Sequence, residues 1–286
     1  MKRISTHIHP VLNIFLILPI LLLVSTCSDS SPLGPGGESG NDYFTIDHSC
    51  SVLPEIPLEW IDSVQSGSKL HYAHTSHGGQ LTVGLLRIET ADSTYSVSIG
   101  SRFLPDENNA LCIFDGQESE TYITPDLFWE SEEGMNLTRS VLNNNTDINV
   151  CMWCWCCQMD SYGEAEVQAY LDSMTVLESD FPNVTFVYMT GNAQATGAEG
   201  YNRYLRNQQI RQYCQNNNRI LYDFADLDCW YNSAGQWEQH TYSYNGNDIP
   251  SEHPQFYGNE SGHTTYESCE QKGRSVWWLL AMIEGW

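Results

Sequence analysis

The chain has 286 residues, with 12 Lys+Arg against 36 Asp+Glu and a formal net charge of −24. That balance argues against nucleic acid or an anionic membrane surface as a partner, since both reward positive charge. With 41% apolar and 12% aromatic residues, the chain can bury a large core.

The first predicted element is a leader. Lys2 and Arg3 precede an almost unbroken apolar run from Val11 to Val24, closed by Ser25-Thr26-Cys27. The run is shorter than the roughly 20 apolar residues a spanning helix needs, and its order is that of a signal peptide over residues 1–26. Small residues before a cysteine resemble the lipobox of bacterial lipoproteins. That resemblance implies lipidation at Cys27, export to the cell envelope, and membrane attachment through an N-terminal lipid alone. Residues 27–45 follow as anchor and flexible tether, rich in Ser, Gly and Pro. The remainder, 46–286, is about 245 residues at most, within reach of one α/β domain. Export also changes the meaning of the ten cysteines, toward buried thiols or disulfides whose pairing the sequence does not give.

From Ser68 onward, strands alternate with helices. Lys69–His74 is a short strand running into a Gly-rich turn, and Gln80–Ile88 is helical. Residues 95–130 read as an irregular insertion with β-like fragments and turn residues. A helix over Glu132–Leu142 leads to a buried strand, Ile148–Trp155. Glu164–Glu178 sets Val167, Tyr170, Leu171, Met174 and Leu177 on one helical face. Val184–Met189 is a β-branched and aromatic strand. Ala198–Asn216 is a helix, Arg219–Phe224 a strand, and Glu270–Ile283 a last helix after a polar loop. Such alternation predicts a doubly wound parallel sheet with helices on both faces and right-handed crossovers. Functional groups then collect at the C-terminal ends of the strands.

Those ends carry His74-Thr75-Ser76-His77-Gly78-Gly79, Cys156-Cys157-Gln158, Thr190-Gly191-Asn192, and Asp223 with Asp226. The late loop holds His253, Glu260 and His263. A Ser, a base and preorganised donors are what acyl transfer requires. In this order the residues resemble the SGNH/GDSL hydrolases, flavodoxin-like α/β esterases, over roughly Ser68 to Trp286. The resemblance implies Ser76 as nucleophile, His263 as base and Gly191-Asn192 as the family's Gly-Asn pair. By role, an oxyanion hole would use backbone donors at Ser76, Gly79 and Cys157 and the Asn192 amide. No cofactor is implied. The sequence departs from the pattern at two points. His74-Thr75-Ser76 replaces Gly-Asp-Ser, and Glu260-Ser-Gly-His263 stands where the family has Asp-x-x-His. Glu260, Asp248 or no carboxylate is left to orient the base, and His253, His74 and His77 compete with His263. The expected activity is that of an exported esterase or deacylase, with an acylated surface polysaccharide as a suitable substrate.

Each motif also has a plainer reading. Ser76 and Gly191-Asn192 are ordinary turn residues. Cys151-x-x-Cys154-x-Cys156-Cys157 has spacing that suits zinc. On one flat strand, however, alternate thiols face opposite sides, so no metal is expected. The Asp223–Asp228 run lacks the spacing of a calcium loop. A non-catalytic alternative is a surface module that binds glycan or protein through the aromatic segment Trp230–Tyr244.

Overall fold

In the computed structural model, residues 43–286 are described. The leader, Cys27 and most of the expected tether lie outside them. The elements are β1 (Thr45–Ile46), α1 (Leu58–Gly67), β2 (Lys69–His74), α2 (Gly79–Ala91), β3 (Val97–Ser101), β4 (Leu111–Asp115), α3 (Glu132–Asn144) and β5 (Val150–Cys154). There follow α4 (Glu164–Asp180), β6 (Thr185–Met189), α5 (Gly197–Asn217), β7 (Leu221–Tyr222), α6 (Phe224–Cys229), the strands β8 (Trp230–Ser233), β9 (Gln236–Gln239), β10 (Thr241–Tyr244) and β11 (Asn247–Pro250), and α7 (Tyr266–Glu284).

Seven strands form one parallel sheet in the order β1-β7-β6-β5-β2-β4-β3. The expected doubly wound α/β architecture is present. One group of helices, α1 and α2 on α7, packs together, while α3, α4 and α5 pack in succession. With both faces covered, central strands carry unbroken apolar runs. Every residue of β5 is buried. No helix among the described residues is long and apolar enough to cross a membrane.

Three boundaries differ from expectation. Residues 95–130 are not wholly irregular, because β3 and β4 within them extend the main sheet beyond β2. Thr45, placed in the tether, pairs with Leu221 at the opposite edge. The polar loop before α7 contains α6 and two antiparallel hairpins, β8–β9 and β10–β11. Helix α7 itself starts at Tyr266, because Thr265 caps it by accepting from the Ser268 N–H.

Contact between α2 and α7 depends on two glycines. A methyl group on Gly84 would fall 1.9 Å from the Cys269 carbonyl oxygen, and one on Gly273 would fall 2.7 Å from the Gly84 carbonyl carbon. Backbone therefore lies against backbone at that crossing.

The order of the strands locates the functional crevice. From β2 the chain builds β3 and β4 on one side, then crosses to β5 on the other. The strand order reverses between β2 and β5, the place where α/β sheets open a ligand crevice beyond their carboxyl ends.

Candidate functional site

β2 ends at His74, and Thr75-Ser76-His77-Gly78 turns directly into α2. The turn is pressed onto the strand. A side chain at Gly78 would fall 2.3 Å from His74 Cβ and 2.7 Å from the Tyr72 hydroxyl, so only glycine fits. β5 ends at Cys154, after which the chain leaves the strand and enters a short 3₁₀ turn over Gln158–Asp160. This break removes the flat-strand geometry that set Cys156 and Cys157 on opposite faces.

Across the crevice the two turns meet. His77 Nδ1 lies 3.0 Å from Cys156 Sγ, and Ser76 Oγ lies 3.4 Å from the same sulfur. His77 Nε2 lies 2.8 Å from Gln194 Oε1. The orientation of that amide is fixed by its other end, since Gln194 Nε2 donates to Glu252 Oε1 at 3.0 Å and to the His263 carbonyl at 2.7 Å. Gln194 Oε1 must therefore accept, so His77 carries a proton on Nε2 and turns Nδ1 to the thiol.

Side chains also clamp the main chain of Cys156. Its N–H donates to Gln158 Oε1 at 2.7 Å, and its carbonyl accepts from Asn192 Nδ2 at 2.7 Å. Asn192 Oδ1 accepts from the Gln194 N–H at 3.0 Å, so one buried Asn positions both the thiol and the residue behind the histidine. Arg203, itself buried, donates to the Asn192 and Pro250 carbonyls.

Charge follows the geometry. Cys157 Sγ lies 3.9 Å from Cys156 Sγ, and His77 and Ser76 also point at that sulfur. Together they hold the Cys156 thiol far below the ordinary cysteine value, against the opposing effect of burial. Cys157 is pushed up by its closeness to Cys156 and by burial. Burial works against a charged His77, but its bonds to Cys156 and Gln194 outweigh this and raise its pKa. The site thus sets a half-buried sulfur against an imidazole nitrogen, with exposed Cys157 beside it. Behind Gln194, Glu252 is raised by burial and by the neighbouring Asp228. Asp228 in turn holds buried Lys272 at 2.6 Å.

The sequence-predicted residues divide. Ser76, Cys157 and Asn192 do gather here. Gly79 does not serve as an oxyanion donor, because its N–H donates to the Ser76 carbonyl at 3.2 Å. The Gly191 N–H is likewise taken, by Asn207 Oδ1 at 2.8 Å. The Asn192 amide is spent on Cys156 rather than aimed at the crevice. Exposed His263 stands with its ring centroid 4.9 Å from that of His77, and no hydrogen bond links its ring to Ser76 among the described residues. Glu260 does not orient it. That carboxylate accepts from the Tyr266 N–H at 2.7 Å, at the start of α7. His74 bridges Thr75 and Asp115 instead, and His253 stacks on Tyr231.

The pairing of Cys156 with His77, which sequence reasoning named only as a rival base, and the placing of Gln194 and Glu252 behind them were not picked out from sequence. The available signal was a Cys-Cys step at the end of one central strand opposite a His at the end of its neighbour. His77, Cys156 and Cys157 also have ligand atoms within 4.8 Å of one another, as do Asp47, His48 and Asp226. The nine described cysteines are free thiols. Two half-buried aromatics of the hairpins rest on neighbouring rings, Trp230 stacked on His48 at 4.2 Å and Tyr244 on Tyr201. A cleft of about 240 Å³ lined by Arg203, Asn207, Arg211 and Cys229 includes none of Ser76, His77, Cys156 or Cys157.

No protein-family model matches the chain, and no curated protein does. Among solved structures, the crystal structure of Clostridium botulinum phage c-st TubZ aligns with a TM-score of 0.29 at 14% identity. The alignment covers 54% of this chain and 51% of that one, a likeness too distant to carry an argument.

Proposed function

We propose that the chain is a hydrolase of acyl esters whose nucleophile is Cys156 and whose base is His77. One observation carries the reading: a thiol at 3.0 Å from an imidazole nitrogen, with the other ring nitrogen held by an amide of fixed orientation. Nucleophile, base and orienting group in series are the arrangement that acyl transfer uses.

The steps follow from the proton positions. His77 Nδ1 takes the Cys156 proton, and the thiolate attacks the ester carbonyl carbon. The carbonyl π electrons move to oxygen, where the Ser76 hydroxyl and the backbone N–H groups of Ser76, His77 and Cys157 can donate. Those N–H groups find no acceptor among the described residues. Collapse expels the alcohol, which takes the proton from His77. Water, deprotonated at Nδ1, then cleaves the thioester and frees Cys156. A half-buried thiol bordered by exposed Cys157 suits a polymer substrate better than a small molecule that needs enclosure. The leader supports the same substrate class, because an exported, Cys27-anchored enzyme meets acylated polysaccharide at the envelope.

The serine reading rests on Ser76, whose hydroxyl is 3.4 Å from Cys156 Sγ. Hydrolysis of a short-chain aryl ester by the wild type, Cys156→Ala and Ser76→Ala separates the two. Loss of turnover in Cys156→Ala with a residual rate in Ser76→Ala is expected. Loss in Ser76→Ala with full activity in Cys156→Ala would return the nucleophile to Ser76, and equal rates in all three proteins would end the hydrolase reading.

A further inference from the structure

The site has a second competence that does not rest on the acyl-transfer reading. We propose that His77, Cys156 and Cys157 bind a thiophilic divalent cation of the zinc class, with the fourth coordination position open beside Ser76.

The distances suit one ion. With metal–sulfur bonds of about 2.3 Å and metal–nitrogen bonds of about 2.0 Å in a tetrahedron, sulfur atoms sit about 3.8 Å apart and sulfur and nitrogen about 3.5 Å apart. Cys156 and Cys157 Sγ are already 3.9 Å apart, while Nδ1 and Cys156 Sγ, at 3.0 Å, must separate by about half an ångström. Cys157 is exposed, so its side chain is free to adjust. The ring presents Nδ1 to the sulfurs while Nε2–H donates to Gln194 Oε1. Metal-bound histidines are commonly held in this way, with the other nitrogen donating to an oxygen that fixes the tautomer. Glu252 then holds Gln194. The half-open position of the thiols supplies an entry path.

Binding would form two metal–sulfur bonds and one metal–nitrogen bond, with any remaining thiol protons released to solvent. The electron pair that makes Cys156 a nucleophile becomes a ligand pair. Metal loading and thiol chemistry are therefore mutually exclusive, and the ion acts as a reversible block. The contrasting cluster, Asp47, His48 and Asp226, is less suited to this role. There Asp226 Oδ1 already takes both the His48 N–H and its ring nitrogen.

The test uses the reduced, metal-free mature chain titrated with Zn²⁺ against a chromophoric chelator. Co²⁺ is added in parallel to read thiolate charge-transfer absorption. One equivalent per chain is expected, with thiolate bands. Cys157→Ser should weaken binding at least a hundredfold, and Gln194→Ala about tenfold to a hundredfold. If either variant misfolds by circular dichroism, mapped alkylation of the wild type decides instead, since one equivalent of Zn²⁺ should protect both Cys156 and Cys157. No saturable uptake, equal affinity in Cys157→Ser, or absence of that protection overturns the inference. Ester turnover through Cys156 without zinc uptake defeats this inference alone. Zinc uptake without turnover defeats only the hydrolase.

Discussion

Gln194 stands behind His77 with its amide locked, accepting from Nε2 at 2.8 Å while its own nitrogen is committed to Glu252 and the His263 carbonyl. The tautomer of His77 is thereby set by a residue that never touches the thiol. Gln194→Ala should lower kcat/KM for an aryl ester about tenfold to a hundredfold, the cost of one orienting hydrogen bond at a charged ring. The pH profile should also shift, which distinguishes positioning from general destabilisation. A variant with unchanged rate and profile would show that the amide does not orient the base.

Alkylation separates Cys156 from the other thiols. Its pKa is lowered by Cys157, His77 and Ser76, so its thiolate persists as pH falls below the range where ordinary cysteines protonate. Burial raises Cys151, Cys154 and Cys214. With a chelator present, iodoacetamide at mildly acidic pH should label Cys156 first, as read by peptide mass spectrometry. His77→Ala should remove the preference. Labelling spread evenly over the thiols would contradict the assigned charge state.

Lys272 and Asp228 are a buried pair, at 0% and 1% exposure and 2.6 Å apart, with Ser268 Oγ accepting from the same ammonium. Removing one charge strands the other. Lys272→Met should therefore cost about 3–5 kcal/mol in denaturant unfolding. The damage should reach the site, because Asp228 Oδ2 also accepts from the Ala193 N–H, next to Asn192 and Gln194. A loss below about 1 kcal/mol would mean that Asp228 finds another partner.

His71, fully buried in β2, has its pKa lowered to about 4 by burial. In the unfolded chain it would titrate near the ordinary value, so between about 6.5 and 4 the unfolded state binds the extra proton. Stability should fall as pH drops through that window, by about 3 kcal/mol from this group. His71→Gln should flatten that part of the profile in urea unfolding measured from pH 7 to 4. An unchanged slope would assign the acid sensitivity elsewhere.

At the α2–α7 crossing, Gly84→Ala should cost about 1–3 kcal/mol, because the new methyl would meet the Cys269 carbonyl rather than a movable side chain. Thermal unfolding reads this directly. A neutral substitution would show that the two helices can part without penalty.

Much of the architecture was legible because its signals are periodic. The face of α4 and the apolar runs of β5 and β6 follow from spacing alone, and the strand ends they imply do converge. What spacing cannot give is side-chain direction once the chain leaves a strand. Cys156 and Cys157 are neighbours in sequence, yet the sulfur of one faces His77 while that of the other lies at the surface, a difference decided by the 3₁₀ turn that follows. Ser76 and His77 pose the same problem one strand away. Gln194 belongs to no motif, and its role comes only from what stands on either side of it. β3 and β4 were read only as β-like fragments of an insertion, because turn residues such as Pro105, Asn108 and Asn109 lie between the two short strands.

Ser76 and His77 arrive from one side of the strand-order reversal, and Cys156 arrives from the other. No local stretch of chain contains the Cys156–His77 pair, so it forms only after β2 and β5 have found each other across the segment that carries α2, β3, β4 and α3. In a refolding experiment the lowered thiol pKa would serve as an internal clock for that pairing. Helix content could recover early, whereas rapid alkylation at acidic pH would return only when the sheet's central seam has closed.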